Sequence, residues 1–263
     1  QGVLFMNDIC SNALAGVCIK TGGNPVLKRN TIHDGLESGV QVSENGLGTF
    51  EENSIFKNIG VGVEVCLGGN PTFRKANYIN DGCKAGVLCW NLGLGTFEEN
   101  KIFQNTGPGV EIESNANPTF RRNHIYSGKG SGVHCHDDGK GTFVDNEVYG
   151  NNLPGFEIYT AADPTLKGNT IRDGNASGVF VDRNGRGSLS ENDIFGNGKA
   201  GVEIKSGGNP VLRRNRIHDG KASGVFVYDD GLGVFEGNEI YGDAIAGVEI
   251  KTFGNPTLRH NRI

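Results

Sequence analysis

The chain of 263 residues has no apolar run long enough to cross a bilayer, which excludes a helical membrane span. It has no excess of positive charge either. Its 25 Lys and Arg stand against 30 Asp and Glu, and a formal net charge of −5 gives no electrostatic footprint for nucleic acid. The six cysteines (Cys10, Cys18, Cys66, Cys83, Cys89 and Cys135) lack CxxC pairs and zinc-finger spacing. They read as free thiols of a reducing compartment, which leans the expected location toward the cell interior. No linker, low-complexity tail or charge block interrupts residues 1–263, so a single domain is expected. No leader opens the chain, although a processed one would leave no trace. No pattern specifies a cofactor.

What the chain does have is a beat of 23 residues. Asparagine recurs as Asn7, Asn30, Asn53, Asn77, Asn100, Asn123, Asn146, Asn169, Asn192, Asn215, Asn238 and Asn261, with one step of 24 near Ala76. A glycine keeps the same beat from Gly16 and Gly39 to Gly224 and Gly247. A short period without a helical pattern inside it marks a β-solenoid. The expected fold is all-β, a right-handed single-stranded parallel β-helix of about 11–12 turns, the hand following from the usual crossover preference.

Within a turn the glycine is followed by two apolar residues in strict alternation, as in Val110 and Ile112 or Val202 and Ile204. Period two means a strand with one face inward. A second apolar pair brackets the asparagine, as in Phe120 and Ile125. Two or three short strands therefore close each turn. Cys89 and Cys135 share one inward position two turns apart, roughly 9–10 Å, beyond disulfide reach. The Gly-x-Gly segments, such as Gly139-Lys140-Gly141, are followed by strand residues rather than a helix, so they are turns and not phosphate loops.

Turns alternate in kind. One kind opens with Asn-Pro or Asp-Pro and carries base before the asparagine (Lys28-Arg29, Arg121-Arg122, Arg213-Arg214); the other carries acid there (Glu51-Glu52, Glu98-Glu99, Glu236). Stacked turns thus set opposite charges against each other and disfavour register slips. The stretches NPVLRRNRIHDG (209–220) and GLGVFEGNEIY (231–241), with Ala15-Gly16-Val17 and Ala200-Gly201-Val202-Glu203-Ile204, resemble the β-helical repeats of F-box only protein 11 and its relatives. Similar repeats occur in bacterial parallel β-helix proteins and in carbohydrate-binding proteins and sugar hydrolases. The resemblance implies a substrate-recognition domain of a cullin-type ubiquitin ligase, nuclear or cytoplasmic, that binds a protein segment. Neither an F-box nor a Cys/His-rich zinc finger is present in this chain. Adaptor docking would therefore need regions outside it.

Function should sit where outward positions depart from what stacking requires. Outward residues of the Gly-Val-x-Ile strand and just beyond it include Trp90, Glu111, Glu113, His134, His136, Glu157, Tyr159, Phe180, Phe226 and Tyr228. Aromatic rings beside carboxylates suit extended peptides bearing Lys or Arg, and they suit sugars. The densest patch joins Glu111, Glu113, His134, His136, Asp137, Asp138 and Glu157. Glu111 and Glu157, with His134 between them, are the candidate catalytic groups, at a backbone separation near that of inverting glycosidases. His134 and His136 are the candidate metal ligands. The ordinary alternative is a solvated acidic stack with histidines separating the glutamates. A protein segment is the first expected partner; a polysaccharide, bound or processed by a lyase, hydrolase or epimerase, is the alternative. A secreted bacterial protein is the matching alternative location. The chain starts and stops in mid-pattern, which predicts a longer parent or ends that pair with another copy.

Overall fold

A three-residue strand with an apolar centre buries one side chain and must then turn. Three such strands per turn close a three-sided coil. The computed structural model describes residues 2–263, which form 34 strands of three residues each and, among the described residues, no helix. Equivalent strands of successive turns pair in parallel into three sheets. Sheet A has 12 strands, from Val3–Phe5 to Thr257–Arg259; sheet B has 11, from Asp8–Cys10 to Glu239–Tyr241. Sheet C also has 11, from Val17–Ile19 to Val248–Ile250. The molecule is a right-handed parallel β-helix of about eleven turns, about 50 Å long at ~4.8 Å per turn.

Sheets A and B each send one residue per strand inward. Sheet A contributes a column in which Phe50, Phe73, Phe97, Phe120 and Phe143 stack with ring centroids 4.0–5.2 Å apart. Sheet B contributes Ile55, Ile79, Ile102 and Ile125, all fully buried. Sheet C sends two inward, such as Val110 and Ile112, and leaves only the central residue outside. Its strands follow the ladder glycine, which no other residue can replace without movement. A Cβ on Gly109 would lie 2.5 Å from the Ile125 methyl and 2.7 Å from the Gly132 carbonyl oxygen.

The corner between sheets A and B is held by the asparagine ladder. Asn123 Oδ1 accepts from the Asn100 backbone N–H at 2.9 Å and from the Asn100 amide at 3.1 Å. The Asn123 amide donates to Asn146 Oδ1 at 3.0 Å and to the Phe97 carbonyl at 2.9 Å. Every buried ladder member repeats this set, so no corner donor is left unpaired. The residue before each ladder asparagine has left-handed backbone, as at Arg29, Glu52 and Arg122. In the 24-residue turn Lys75 and Ala76 are both left-handed, and this double bend absorbs the extra residue before Asn77.

A second ladder, overlooked in the sequence, serves alternate turns: Asn58, Asn105, Asn151 and Asn197 are buried between sheets B and C. Asn105 accepts from the Gly82 N–H at 3.0 Å and donates to the Ile79 carbonyl at 3.2 Å. The expected charge ladder also forms. Glu51 sits between Arg74 at 2.9 Å and Lys75 at 3.0 Å, and Glu191 faces Arg214 at 2.9 Å. These pairs are largely exposed on the basic side and act on register more than on stability.

Replacing Asn123 or Asn146 by Leu strands backbone groups of the adjacent turn and should cost about 1–3 kcal/mol. Denaturant unfolding checks this; unchanged midpoints in both variants would show that the ladder is not structural.

Candidate functional site

Because sheet C buries two residues of three, its outer surface is a single file of central side chains. Running along the coil these are Gln41, Glu64, Leu88, Glu111, His134, Glu157, Phe180, Glu203, Phe226 and Glu249, each partly exposed. The residue just after each strand adds a second file, with Trp90, Glu113, His136, Tyr159, Lys205 and Tyr228 partly exposed. This second file is less open than its sequence position suggests. Ser43, Cys66 and Asp182 belong to it and are buried. Trp90 is tied down, its indole N–H donating to Glu64 at 3.0 Å.

From Glu157 onward, acid and ring alternate. Ser131 donates to Glu157 and Ser223 to Glu249, each at 2.7 Å, while Ser177 holds Glu203 in the same way. Between them stand Phe180, edge-on to Tyr159 with centroids 5.6 Å apart, and Phe226, stacked on Tyr228 at 4.3 Å. Lys205 lies 5.5 Å from the Phe180 ring and Lys251 lies 4.9 Å from Phe226. Two adjoining hollows, of about 180 and 300 Å³, run beside this file and share Lys199 and Glu203. Glutamates and lysines balance here, so the groove offers both acceptors and donors.

A third hollow, of about 350 Å³, opens at the other end, lined by His134, His136, Asp137, Tyr159, Thr160 and Arg183. Glu111, His134 and Glu157 are register partners on three successive strands, so His134 separates the two candidate catalytic carboxylates. Asp137 and Asp138, counted in the acidic patch, are left-handed turn residues. The Asp137 carboxylate accepts from His136 Nδ1 at 2.9 Å. Arg183 lies 5.7 Å from the Tyr159 ring and escaped the sequence reading. The signal was available: among the left-handed corner residues after sheet C (Asn91, Ser114, Asp137, Thr160, Arg183, Ser206) it is the one base.

The two histidines are driven apart electrostatically. The Glu111 carboxylate, and then Asp137, raise His136 to about 9 against the opposing effect of burial. Burial, and then the neighbouring His136 charge, push His134 down to about 4. Its Nε2 is buried and has no hydrogen-bond partner. Burial, and then Glu157, raise Tyr159, so its phenol stays protonated. Burial likewise raises Glu157, opposed by the Ser131 hydroxyl. The hollow is therefore lined by a neutral imidazole and a protonated phenol, with ring centroids 5.5 Å apart.

A second aromatic file, on sheet B, was also missed: His33 and Phe56, Phe103, Tyr126 and Tyr149, then Phe195, His218 and Tyr241. These rings stack face to face at 4.8–5.1 Å and show the solvent their edges. They complete the coil, each ring giving at least one face to its neighbour. On sheet C the rings form no continuous face-to-face file: Tyr159 and Phe180 meet edge-on, Phe226 stacks only on Tyr228, and Glu203 stands between Phe180 and Phe226.

Histidine NMR in buffer free of divalent metal should find His134 neutral and His136 charged at neutral pH. Relative to the ordinary value of 6.5, the raised His136 contributes stability that is present below 6.5 and fades as pH rises through about 9. The depressed His134 contributes stability that is present above 6.5 and lost as pH falls toward about 4. Both rings titrating together near 6.5 would contradict this arrangement.

The family model described as "Right handed beta helix region" matches residues 1–112, 73–163 and 108–263, which together span the chain. Among solved structures, the chain is similar to the Azotobacter vinelandii mannuronan C-5 epimerase AlgE6 A-module, with a TM-score of 0.66 at 17% identity, covering 99% of this chain and 90% of that one. It is also similar to the periplasmic alginate epimerase AlgG, with a TM-score of 0.66 at 13% identity over 91% and 72% of the two chains. The catalytic unit of the GH87 α-1,3-glucanase of Streptomyces thermodiastaticus matches with a TM-score of 0.57 at 14% identity, over 99% and 63%. At these identities the likeness establishes the fold. It also corrects the functional expectation: the similar structures are named as polysaccharide enzymes, and the assignment to F-box substrate recognition, with its ubiquitin-pathway partner, is withdrawn. The cell-interior expectation finds no support among these structures, one of which is named as periplasmic. With a match along its whole length, the chain belongs to the right-handed β-helix family.

Proposed function

We propose that this chain is a polysaccharide-binding or polysaccharide-processing β-helix, and that the sugar chain lies along sheet C from His134 to Lys251. The supporting observation is the alternation of ring and carboxylate at Glu157, Phe180, Glu203, Phe226 and Glu249 beside a continuous line of hollows. Sugars present an apolar face to an aromatic ring and hydroxyls to carboxylates and ammonium groups. Four groups of each charge sign line the hollows, namely Asp137, Glu157, Glu203 and Glu249 against Lys199, Lys251, Arg183 and the charged His136. A balanced lining suits a hydroxyl-rich neutral glycan better than a polyanion.

Any bond-making step belongs at the His134 end. There Tyr159 offers a proton donor beside the two imidazoles across one hollow. The groove itself has no walls from inserted loops, because turns keep to 23 or 24 residues. Such an open groove admits a polymer anywhere along its length.

Alanine at Phe180 or Phe226 should weaken retention by a soluble neutral glycan about tenfold, since a ring that anchors a ligand carries over 1 kcal/mol. Affinity electrophoresis against a panel of glycans measures this, with circular dichroism reporting the fold. Retention that survives the double variant would place the sugar elsewhere.

A further inference from the structure

We propose that Glu111, His134 and His136 form a binding site for a divalent first-row transition ion of the zinc class. This goes beyond the polysaccharide reading and does not rest on it. His134 and His136 are two residues apart on one outward edge of sheet C, so both rings leave the same side, with centroids 4.4 Å apart. Glu111 is the register partner of His134 on the preceding strand. One ligand atom from each of the three lies within 4.8 Å of the other two.

Four observations distinguish this cluster from an ordinary acidic surface. His134 Nε2 is buried without a hydrogen-bond partner, which is costly unless something binds it. His136 Nδ1 is engaged by Asp137 at 2.9 Å, and a ligating histidine is usually oriented by such a carboxylate on its other nitrogen. That contact aims His136 Nε2 at Glu111, 3.4 Å away, and Glu113, 3.5 Å away. Three carboxylates thus crowd two imidazoles, leaving negative charge for a cation to neutralise.

Two imidazoles and a carboxylate form a nitrogen-rich set that favours zinc over calcium or magnesium, which take oxygen ligands. Glu113 or solvent would complete the shell. A rival cluster, Asp8, Cys10 and His33, is weaker. Its Asp8 and Cys10 are exposed, and it has no buried nitrogen without a partner such as His134 Nε2.

Calorimetric titration of the metal-stripped chain with Zn²⁺ alone, and separately with Ca²⁺, tests the proposal without any glycan. One Zn²⁺ per chain should bind, with Ca²⁺ at least ~100-fold weaker. Glu111→Gln and His134→Asn should each weaken Zn²⁺ binding by at least ~100-fold, and Asp137→Asn by ~10–100-fold. His33→Asn should leave it unchanged. Circular dichroism and unfolding midpoints of each variant separate lost ligation from lost fold. If one ligand variant unfolds, the other and Asp137→Asn decide. Absence of Zn²⁺ binding, equal Ca²⁺ affinity, or binding lost in His33→Asn but kept in a folded His134→Asn would overturn the site. A glycan that binds the stripped chain equally well leaves the polysaccharide reading intact even then.

Discussion

Each turn of this molecule is fastened to the next by one asparagine amide. The amide has two donors and an oxygen with two lone pairs, and a stacked corner uses all of them. Asn123 Oδ1 accepts the backbone N–H and one amide N–H of Asn100, and the Asn123 amide gives both of its donors, to Asn146 and to a core carbonyl. That arrangement works only if the next asparagine arrives at the same corner, ~4.8 Å along the axis. The 23-residue beat follows from this constraint, as does the glycine beat, because the sheet C backbones approach too closely for a Cβ. The one longer turn keeps the ladder intact by bending twice at Lys75 and Ala76.

With the corners fixed, the three outer faces acquire different characters. Sheet A carries the charge ladder, where Glu51, Glu98 and Glu191 meet bases on neighbouring turns. Sheet B carries rings stacked on rings, which give their faces to one another. Sheet C, with a single outward residue per strand, carries the alternation of ring and acid and the unpartnered nitrogen of His134. Two of the faces are spent on the coil's own cohesion. The third is the face on which the proposed sugar site lies.

The fold was legible because stacking imposes the same residue at the same place many times over. Asn7 to Asn261 gave the period, and Val110 with Ile112 gave the inward face of sheet C. The second ladder was equally present in Asn58, Asn105, Asn151 and Asn197, but its period is two turns and it was passed over. The site was less legible, since burial there depends on a neighbouring turn. Asp182 has the same sequence register as His136 and is buried, while His136 is partly exposed. Stacked and unstacked rings look alike in sequence, so the sheet B file went unnoticed. The functional expectation failed for a physical reason. Repeat strings such as NPVLRRNRIHDG are dictated by corners, core and charge register, none of which touches a partner. Sharing them is evidence of a shared coil and not of a shared partner.

The central claim is that sheet C takes a sugar chain rather than a peptide. A parallel screen of the isolated chain on glycan and peptide arrays at equal concentration tests it most directly. The account predicts signal on glycans, reduced by alanine at Phe180 and Phe226, and none above background on peptides. Signal confined to peptides, or glycan signal indifferent to those substitutions, would contradict it.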